Sequence, residues 1–270
     1  MLFCCPKCKG ALTELEGRAV CPLGHSYDKS KYSYYNLLLG SCGGTHGDNR
    51  EMILARRAFL LGGYYFPLAE RISALALKYT SCGGRLLDVG CGEGYYTDII
   101  ENALYERDNF TRVAAFDISK DAVKEAARKN KRVSFCVGSA YSTPAADGSF
   151  DTVVNAFSPY AGAELLRILS PGGVFIMAIP EQDHLYELKE ILYDNPYKNE
   201  VKDSHLDGLE LIEDERIKYK MVLEGECIGS LFKMTPYAYR TPKDRAEKLQ
   251  RVSKLSVTAD FHLFAYRKTN

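Results

Sequence analysis

Short apolar runs alternate with helical patterns through the middle of the chain. Each run closes in a polar residue or a turn, as buried parallel strands do. The predicted strands are Leu86–Val89, Val113–Phe116, Val133–Val137, Phe150–Asn155 and Val174–Ile179. Because helical segments separate most of these strands, the pattern predicts an α/β fold built on a doubly wound, Rossmann-like sheet.

The flanking segments complete this prediction. Two helical patterns precede the first strand, at Glu51–Leu61 and Leu68–Tyr79. After the fifth strand we predict a strand at Leu209–Lys220, a helix at Val222–Lys233 and a basic helix at Lys243–Lys254. The last segment, Leu255–Lys268, alternates apolar and polar residues and is expected to be an antiparallel edge strand.

Composition is typical of a globular protein. The 270 residues are 46% hydrophobic and 26% charged, with zero net charge, so the chain is not a uniformly basic nucleic-acid binder. An acidic middle separates two basic ends, which could engage phosphates or simply be solvated. The sequence has neither a membrane-length apolar run nor a signal peptide, so we expect a cytoplasmic protein without membrane contact. In that compartment, nine cysteines are better explained as ligands or buried thiols than as disulfides.

Four side chains that can bind a metal, three cysteines and one histidine, lie near the amino terminus. Cys5-x2-Cys8 and Cys21-x3-His25 are two ligand pairs separated by a short loop, a spacing typical of a structural zinc site. Cys4 could replace Cys5, although the two-residue spacing and Pro6 favour Cys5. The alternative is reduced cysteines without a metal. We predict a zinc-binding module at 1–40, a helical linker region at 41–80 and the main domain at 81–270.

The segment after the zinc ligands mixes lysines with aromatic residues. Tyr27–Leu39 could stack on unpaired nucleotides, or its rings could pack the module onto its neighbour. Ser41–Asn49 is a polar, glycine-rich loop and a candidate boundary. His46 in that loop is expected to be a solvated residue rather than a ligand.

Three closely spaced glycines follow the first strand. Gly90, Gly92 and Gly94 would let the backbone turn sharply and approach a ligand, with the amino end of a helix pointing at the same place. Asp88 precedes this turn, and a carboxylate there would repel a pyrophosphate. It suits a ligand with an ammonium group, such as S-adenosylmethionine. A simple turn between strand and helix is the alternative.

A second acid strengthens the cofactor hypothesis. Asp117 closes the second strand, where an acid can bind the hydroxyl groups of a ribose. It could instead cap the next helix, a role for which Ser119 competes. The order of strand, glycine turn, helix, strand and acid is similar to the cofactor site of class I S-adenosylmethionine-dependent methyltransferases.

The motifs, taken together, resemble those of the RlmA family, 23S rRNA (guanine-N1)-methyltransferases that have an N-terminal zinc module. They are C-P-K-C…C-P-L-G-H-S-Y-D, R-R-x-F-L-x2-G-x-Y-F-P-L, L-D-V-G-C-G-E-G-Y-Y-T, L-S-P-G-G and M-T-P-Y-A-Y-R. The resemblance covers nearly the whole chain. It implies that Tyr65 and His184 lie near bound S-adenosylmethionine. The full set of predicted cofactor contacts is Tyr65, Asp88, Gly90, Gly92, Glu93, Gly94, Asp117, Ile118 and His184.

The resemblance implies transfer of a methyl group to N1 of a guanine in a hairpin of 23S rRNA. No catalytic base is assigned, although His184 is a candidate. Two alternatives stay open: a methyltransferase for a small molecule, and an inactive RNA-binding relative. We expect Arg56 and Arg57 to contact RNA phosphates, or else to be solvated on their helix. A homodimer is one assembly the chain could adopt.

Overall fold

The computed structural model describes residues 1–40, 47–201 and 204–269, apart from the side chains of 239 and 240. Most of the predicted Ser41–Asn49 loop, with His46, lies outside these ranges. Within them, no helix combines the length and apolar character needed to cross a bilayer.

The amino-terminal unit contains a small antiparallel sheet. Its strands are β1 (Thr13–Leu15), β2 (Arg18–Val20) and β3 (Ser26–Asp28), with β2 in the middle. Gly17, at a φ of +71°, makes the turn between β1 and β2. The next strand, β4 (Tyr34–Asn36), lies outside this sheet and is part of the main one.

Two helices follow, close to their predicted bounds. They are α1 (Arg50–Leu61) and α2 (Phe66–Tyr79). The Asn49 side chain accepts a hydrogen bond from the backbone N–H of Met52 at 3.0 Å and so caps α1. Pro67 fits the first turn of α2, where no backbone N–H is needed.

The main sheet has eight strands in the described chain. After β4, the strands are β5 (Arg85–Val89), β6 (Arg112–Asp117), β7 (Ser134–Val137), β8 (Phe150–Ala156), β9 (Leu169–Pro180), β10 (Leu209–Glu224) and β11 (Lys254–Lys268). The intervening helices are α3 (Tyr95–Arg107), α4 (Lys120–Lys129), α5 (Gly162–Ile168), α6 (Tyr186–Leu192), α7 (Glu226–Met234), α8 (Tyr237–Arg240) and α9 (Lys243–Ala246).

Strand order confirms the predicted doubly wound fold. The order is β10-β11-β9-β8-β5-β6-β7-β4, in which the strands from β9 to β4 are parallel. After β4 at one edge, the chain enters the centre of the sheet at β5, proceeds outward to β7 and then returns to β8 on the other side of β5. The two antiparallel strands, β10 and β11, finish one edge.

The carboxyl-terminal predictions need three corrections. β11 is antiparallel but pairs on both sides, so β10 forms the edge. The predicted helix at Val222 begins only at Glu226, because alternating burial keeps residues up to Glu224 in β10. The predicted helix Lys243–Lys254 is the four-residue α9 followed by a 3-10 turn, Glu247–Arg251. Only Leu249 is buried there, so no apolar stripe supports a longer helix.

β4 joins the amino-terminal unit to the main sheet. Tyr34 of β4 pairs in parallel with Phe135 of β7, and the Cys4 backbone N–H donates to the Pro144 carbonyl at 2.9 Å. Tyr34 and Tyr35 are buried in separate apolar clusters. Of the two roles predicted for the aromatic rings of Tyr27–Leu39, these two rings therefore pack the unit onto its neighbour. The predicted module 1–40 contributes one strand to the main domain, while its division from that domain stays a prediction.

Candidate active site

The carboxyl ends of the parallel strands lie along the same side of the sheet. β5 and β8 are neighbours there, and the chain leaves them toward opposite sides of the sheet, to β6 and to β9. Doubly wound sheets form a crevice at such a point, and ligands bind in it. Most of the predicted cofactor contacts lie in the loops around this crevice.

The glycine turn is bound to the end of the next strand. The backbone N–H groups of Gly90 and Cys91 both donate to the Phe116 carbonyl, at 2.9 and 3.0 Å. Gly90 has a φ of +77°, and a Cβ there would lie 1.9 Å from the Ser158 Oγ. A Cβ at Gly94 would come within 3.0 Å of the Ala126 Cβ. Glycine is therefore required by conformation and by close packing.

Asp117 faces this turn. Its Oδ2 accepts from the Gly92 backbone N–H at 2.9 Å, and its Oδ1 accepts from the Ser119 N–H at 2.8 Å. Ser119 caps α4, so the alternative capping role belongs to that residue. Burial raises the pKa of Asp117, while its backbone hydrogen bonds oppose the shift. Each carboxylate oxygen keeps lone-pair capacity for a further donor. Ile118, beside it, is half-buried.

Asp88 is buried at the end of β5. Its Oδ2 accepts a hydrogen bond from the Thr97 hydroxyl at 2.5 Å. Burial, helped by the charges of Asp117 and Asp98, raises the pKa of Asp88 to about 7. The carboxyl group is thus poised to ionise when a positive charge comes near.

Glu93 lies within the turn and is buried. Its Oε2 accepts from Arg57 Nε at 3.0 Å and from Lys129 Nζ at 2.6 Å. The other oxygen, Oε1, and the Tyr96 hydroxyl are two of three buried side-chain polar atoms without a hydrogen-bond partner across the described ranges. Unpaired buried polar atoms are costly, so each of these two atoms favours a polar partner that the described residues do not supply.

Arg56 and Arg57 each pair with a carboxylate of the protein rather than being solvated on their helix. Arg56 pairs with Asp48 and donates to the Met234 carbonyl at 3.2 Å. Burial lowers the pKa of Arg56, and the negative charges of Asp117 and Glu93 oppose this shift. Arg57 pairs with Glu93. Both guanidinium groups thus lie near the carboxylates of the turn, which need nearby cations.

Tyr65 and His184 meet in a buried hydrogen bond of 3.1 Å between Oη and Nε2. The Asp260 backbone N–H donates to His184 Nδ1 at 3.3 Å, so the ring proton of a neutral imidazole is on Nε2. Burial lowers the pKa of His184 to about 3. A histidine so weakly basic, with both nitrogens engaged, is a poor general base. Contact of either residue with the cofactor stays a prediction.

An aromatic cluster adjoins this pair. Tyr65 packs edge-on against Phe261 at 4.9 Å between centroids, and Phe261 lies 5.5 Å from Phe157. Phe157 follows β8 at a φ of +63° and is 39% exposed. The sequence motifs assigned no role to this ring. Tyr96 and Thr97 lie within the L-D-V-G-C-G-E-G-Y-Y-T motif but had no assigned role, and Lys129 belongs to no motif.

The predicted metal ligands converge. The Sγ atoms of Cys5, Cys8 and Cys21 and a ring nitrogen of His25 lie within 4.8 Å of one another. Three sulfurs and one imidazole nitrogen are a donor set that zinc binds tetrahedrally, so these residues fit the predicted ion. The Cys4 thiol is not part of this cluster.

Hydrogen bonds support the thiolate form of one ligand. Burial tends to raise the pKa of the Cys5 thiol, but Tyr27 and the backbone N–H groups of Cys8 and Lys7 lower it to about 6. The Tyr27 hydroxyl lies 3.1 Å from Cys5 Sγ. Thiolates are the form that binds metals, so the surroundings of Cys5 favour metal binding.

The chain is similar to known methyltransferases. The family model described as a methyltransferase domain matches residues 87–177. A Bacillus subtilis protein named "Putative 23S rRNA (guanine-N(1)-)-methyltransferase YxjB" is 30% identical, over 96% of this chain and 94% of that protein. The Streptomyces fradiae 23S rRNA (guanine(748)-N(1))-methyltransferase is 29% identical, over 93% and 90%. The solved structure of YcgJ from Bacillus subtilis shares the fold, with a TM-score of 0.52 and 17% identity over 74% of this chain and 99% of that one.

Two glycine substitutions should separate steric fit from backbone strain. Gly90→Ala places a Cβ against Ser158, whereas Gly92→Ala meets no atom within 4 Å; both positions have positive φ. We expect each to cost about 1–2 kcal/mol for the left-handed conformation and Gly90→Ala to cost more. Thermal unfolding of both variants tests this. Equal losses would mean that Ser158 does not constrain the turn.

Proposed function

The chain belongs to the family of 23S rRNA (guanine-N1)-methyltransferases, and on that premise we propose that it methylates N1 of a guanine in a hairpin loop of 23S rRNA. The observation that carries the proposal is similarity over nearly the whole chain. It extends well beyond residues 87–177, which the methyltransferase domain model matches, whereas a small-molecule methyltransferase needs only that domain.

The turn and its acids suit S-adenosylmethionine. When bound, this cofactor supplies an electrophilic methyl group on a sulfonium. Asp117 would accept hydrogen bonds from the ribose hydroxyls, through the lone pairs that Gly92 and Ser119 leave free. Asp88 would ionise and offset positive charge, and the unpaired Glu93 Oε1 and Tyr96 hydroxyl would find polar partners.

The chain's contribution to the chemistry is mainly positional. Guanine N1 carries a proton at neutral pH, and that proton must leave as the methyl group is transferred. His184 is too weak a base for this role, since burial lowers its pKa to about 3. We infer that the protein works by aligning the base with the methyl group, with the N1 proton released to solvent.

The target guanine must be accessible. N1 takes part in Watson–Crick pairing, so the base has to be unpaired or flipped out of a helix. A group of cations where the amino-terminal unit meets α4 is suited to the RNA backbone: Lys31, Lys124 and Arg128 surround the Tyr32 ring at 5.2, 5.4 and 5.8 Å. This surface replaces Arg56 and Arg57 as the proposed phosphate contact.

We assign one structural zinc ion to Cys5, Cys8, Cys21 and His25. Four protein ligands would close the site to substrate, so the metal would stabilise the amino-terminal unit rather than take part in chemistry. That unit carries Tyr32 and Lys31 of the proposed RNA-binding surface, and its order would therefore affect RNA binding.

Methyl transfer tests the function directly. Wild-type protein with labelled S-adenosylmethionine should label unmodified 23S rRNA, and nuclease digestion should yield N1-methylguanine. A panel of small-molecule acceptors serves as the control. Labelling of a small molecule but not of rRNA would refute the proposal, as would methylation of rRNA at another atom.

Cofactor affinity should depend on pH through Asp88. Its pKa is raised to about 7 in the free protein, and a nearby cation lowers it on binding. Binding below pH 7 must therefore release a proton, so affinity should increase with pH and level off above about 7. Calorimetry at pH 6 in buffers of different ionisation enthalpy measures that proton. Asp88→Asn should bind without releasing it; the same release from the variant would exclude Asp88.

Metal content tests the zinc assignment. Protein purified without chelator should contain one zinc ion per chain, and Cys21→Ser should lose it. Cys82→Ser, which changes an exposed thiol, is the matched control and should keep the metal. The Cys21→Ser variant should still bind S-adenosylmethionine but lose rRNA methylation. Zinc-free wild-type protein would refute the metal site, and full rRNA activity of the zinc-free variant would refute its link to RNA.

A further inference from the structure

We propose that Phe157 is the surface on which the target guanine stacks when it enters the active site. This inference rests on the proposed function and identifies the residue that holds the base. It concerns a side chain to which neither the motifs nor the predicted cofactor contacts assign a role.

The position of Phe157 points to the reacting end of the crevice. Phe157 follows β8, and its backbone N–H donates to the Ala178 carbonyl of β9 at 3.1 Å. The next residue, Ser158, lies against Gly90. Asp117 ends β6, on the other side of β5. If Asp117 holds the ribose, the cofactor extends across the turn toward Phe157, and the base must approach from that side.

The backbone of Phe157 is strained. It is the sole aromatic residue with a positive φ within the described part of the chain. Bulky side chains disfavour this conformation, and such strain is typically retained where function requires it. The large apolar ring at this position stays partly open to solvent, with 39% of the residue exposed. Folding alone would favour burying that ring.

The ring is supported from below by buried aromatics. Phe157 lies 5.5 Å from Phe261, 6.2 Å from Tyr96 and 6.4 Å from Tyr65, measured between centroids. Phe261 and Tyr65 are almost completely buried. The cluster holds the ring in a defined orientation while part of it stays open. A flipped purine would stack on such a rigid aromatic surface at little entropic cost.

A substitution series separates stacking from packing. Phe157→Ala should lower kcat/KM for unmodified 23S rRNA by roughly 10- to 100-fold, the usual loss when a base loses its aromatic partner. Phe157→Tyr should retain most activity, whereas Phe157→Leu, similar in apolar character but without a π face, should resemble the alanine variant. Calorimetric affinity for S-adenosylmethionine should stay unchanged throughout the series.

Fluorescence provides a readout that does not require turnover. The chain contains no tryptophan, so Phe157→Trp introduces a single reporter. Addition of unmodified 23S rRNA, with S-adenosylhomocysteine present to prevent methyl transfer, should quench it through stacking. The matched control is Phe110→Trp. This exposed position precedes β6 and so lies at the amino end of that strand, away from the crevice, and its emission should not change.

The outcomes distinguish this inference from the proposed function. Suppose that the wild type methylates rRNA. Full activity of Phe157→Ala, or equal activity of the leucine and tyrosine variants, would then overturn the stacking inference and leave the proposed function intact. Loss of cofactor affinity in Phe157→Ala would mean that the ring packs on the cofactor and would also overturn it. So would the absence of quenching in an active Phe157→Trp enzyme. Failure of the wild type to methylate rRNA would overturn the function and the inference together.

Discussion

One carbonyl oxygen organises the active site. The Phe116 carbonyl accepts the backbone N–H groups of both Gly90 and Cys91, and so fixes the glycine turn to the end of β6. The next residue, Asp117, is thereby brought beneath the turn, where Gly92 donates to it. The close approach is possible because glycines occupy the positions where a Cβ would meet Ser158 or α4. The remaining features of the site surround this junction.

The charges of the site follow from the same geometry. Asp88, Glu93 and Asp117 are carboxylates brought close together in a region of low exposure, so each needs a partner. Glu93 has Arg57 and Lys129, Asp117 has backbone N–H groups, and Asp88 has the Thr97 hydroxyl and a raised pKa. The arginines of α1 contribute to this balance: Arg57 pairs with Glu93, and Arg56 lies near Asp117 while pairing with Asp48.

Local pattern was sufficient for the five central parallel strands and for the convergence of the four Cys/His side chains. Strands buried on both faces appear as continuous apolar runs, and the Cys/His spacing specifies a knuckle directly. The pattern failed where long-range pairing decides the outcome. β11 alternates like an edge strand but pairs with β9 and β10, and the basic segment after Pro242 lacks an apolar stripe. The directions of Arg56 and Arg57, and the strain at Phe157, depend on tertiary contacts that no spacing records.

The central claim is that Asp117, fixed by the turn, binds the cofactor ribose, and a cycle of two ligands and two proteins tests it most directly. Calorimetry would compare S-adenosylhomocysteine with its 2′-deoxy analogue on wild type and on Asp117→Asn. Hydrogen bonds to a charged group contribute about 1.5–3 kcal/mol, so the analogue should bind wild type roughly 10- to 100-fold more weakly. The variant should bind both ligands with nearly equal affinity. An equal loss for the analogue on both proteins would contradict the account, because the ribose would then be held elsewhere.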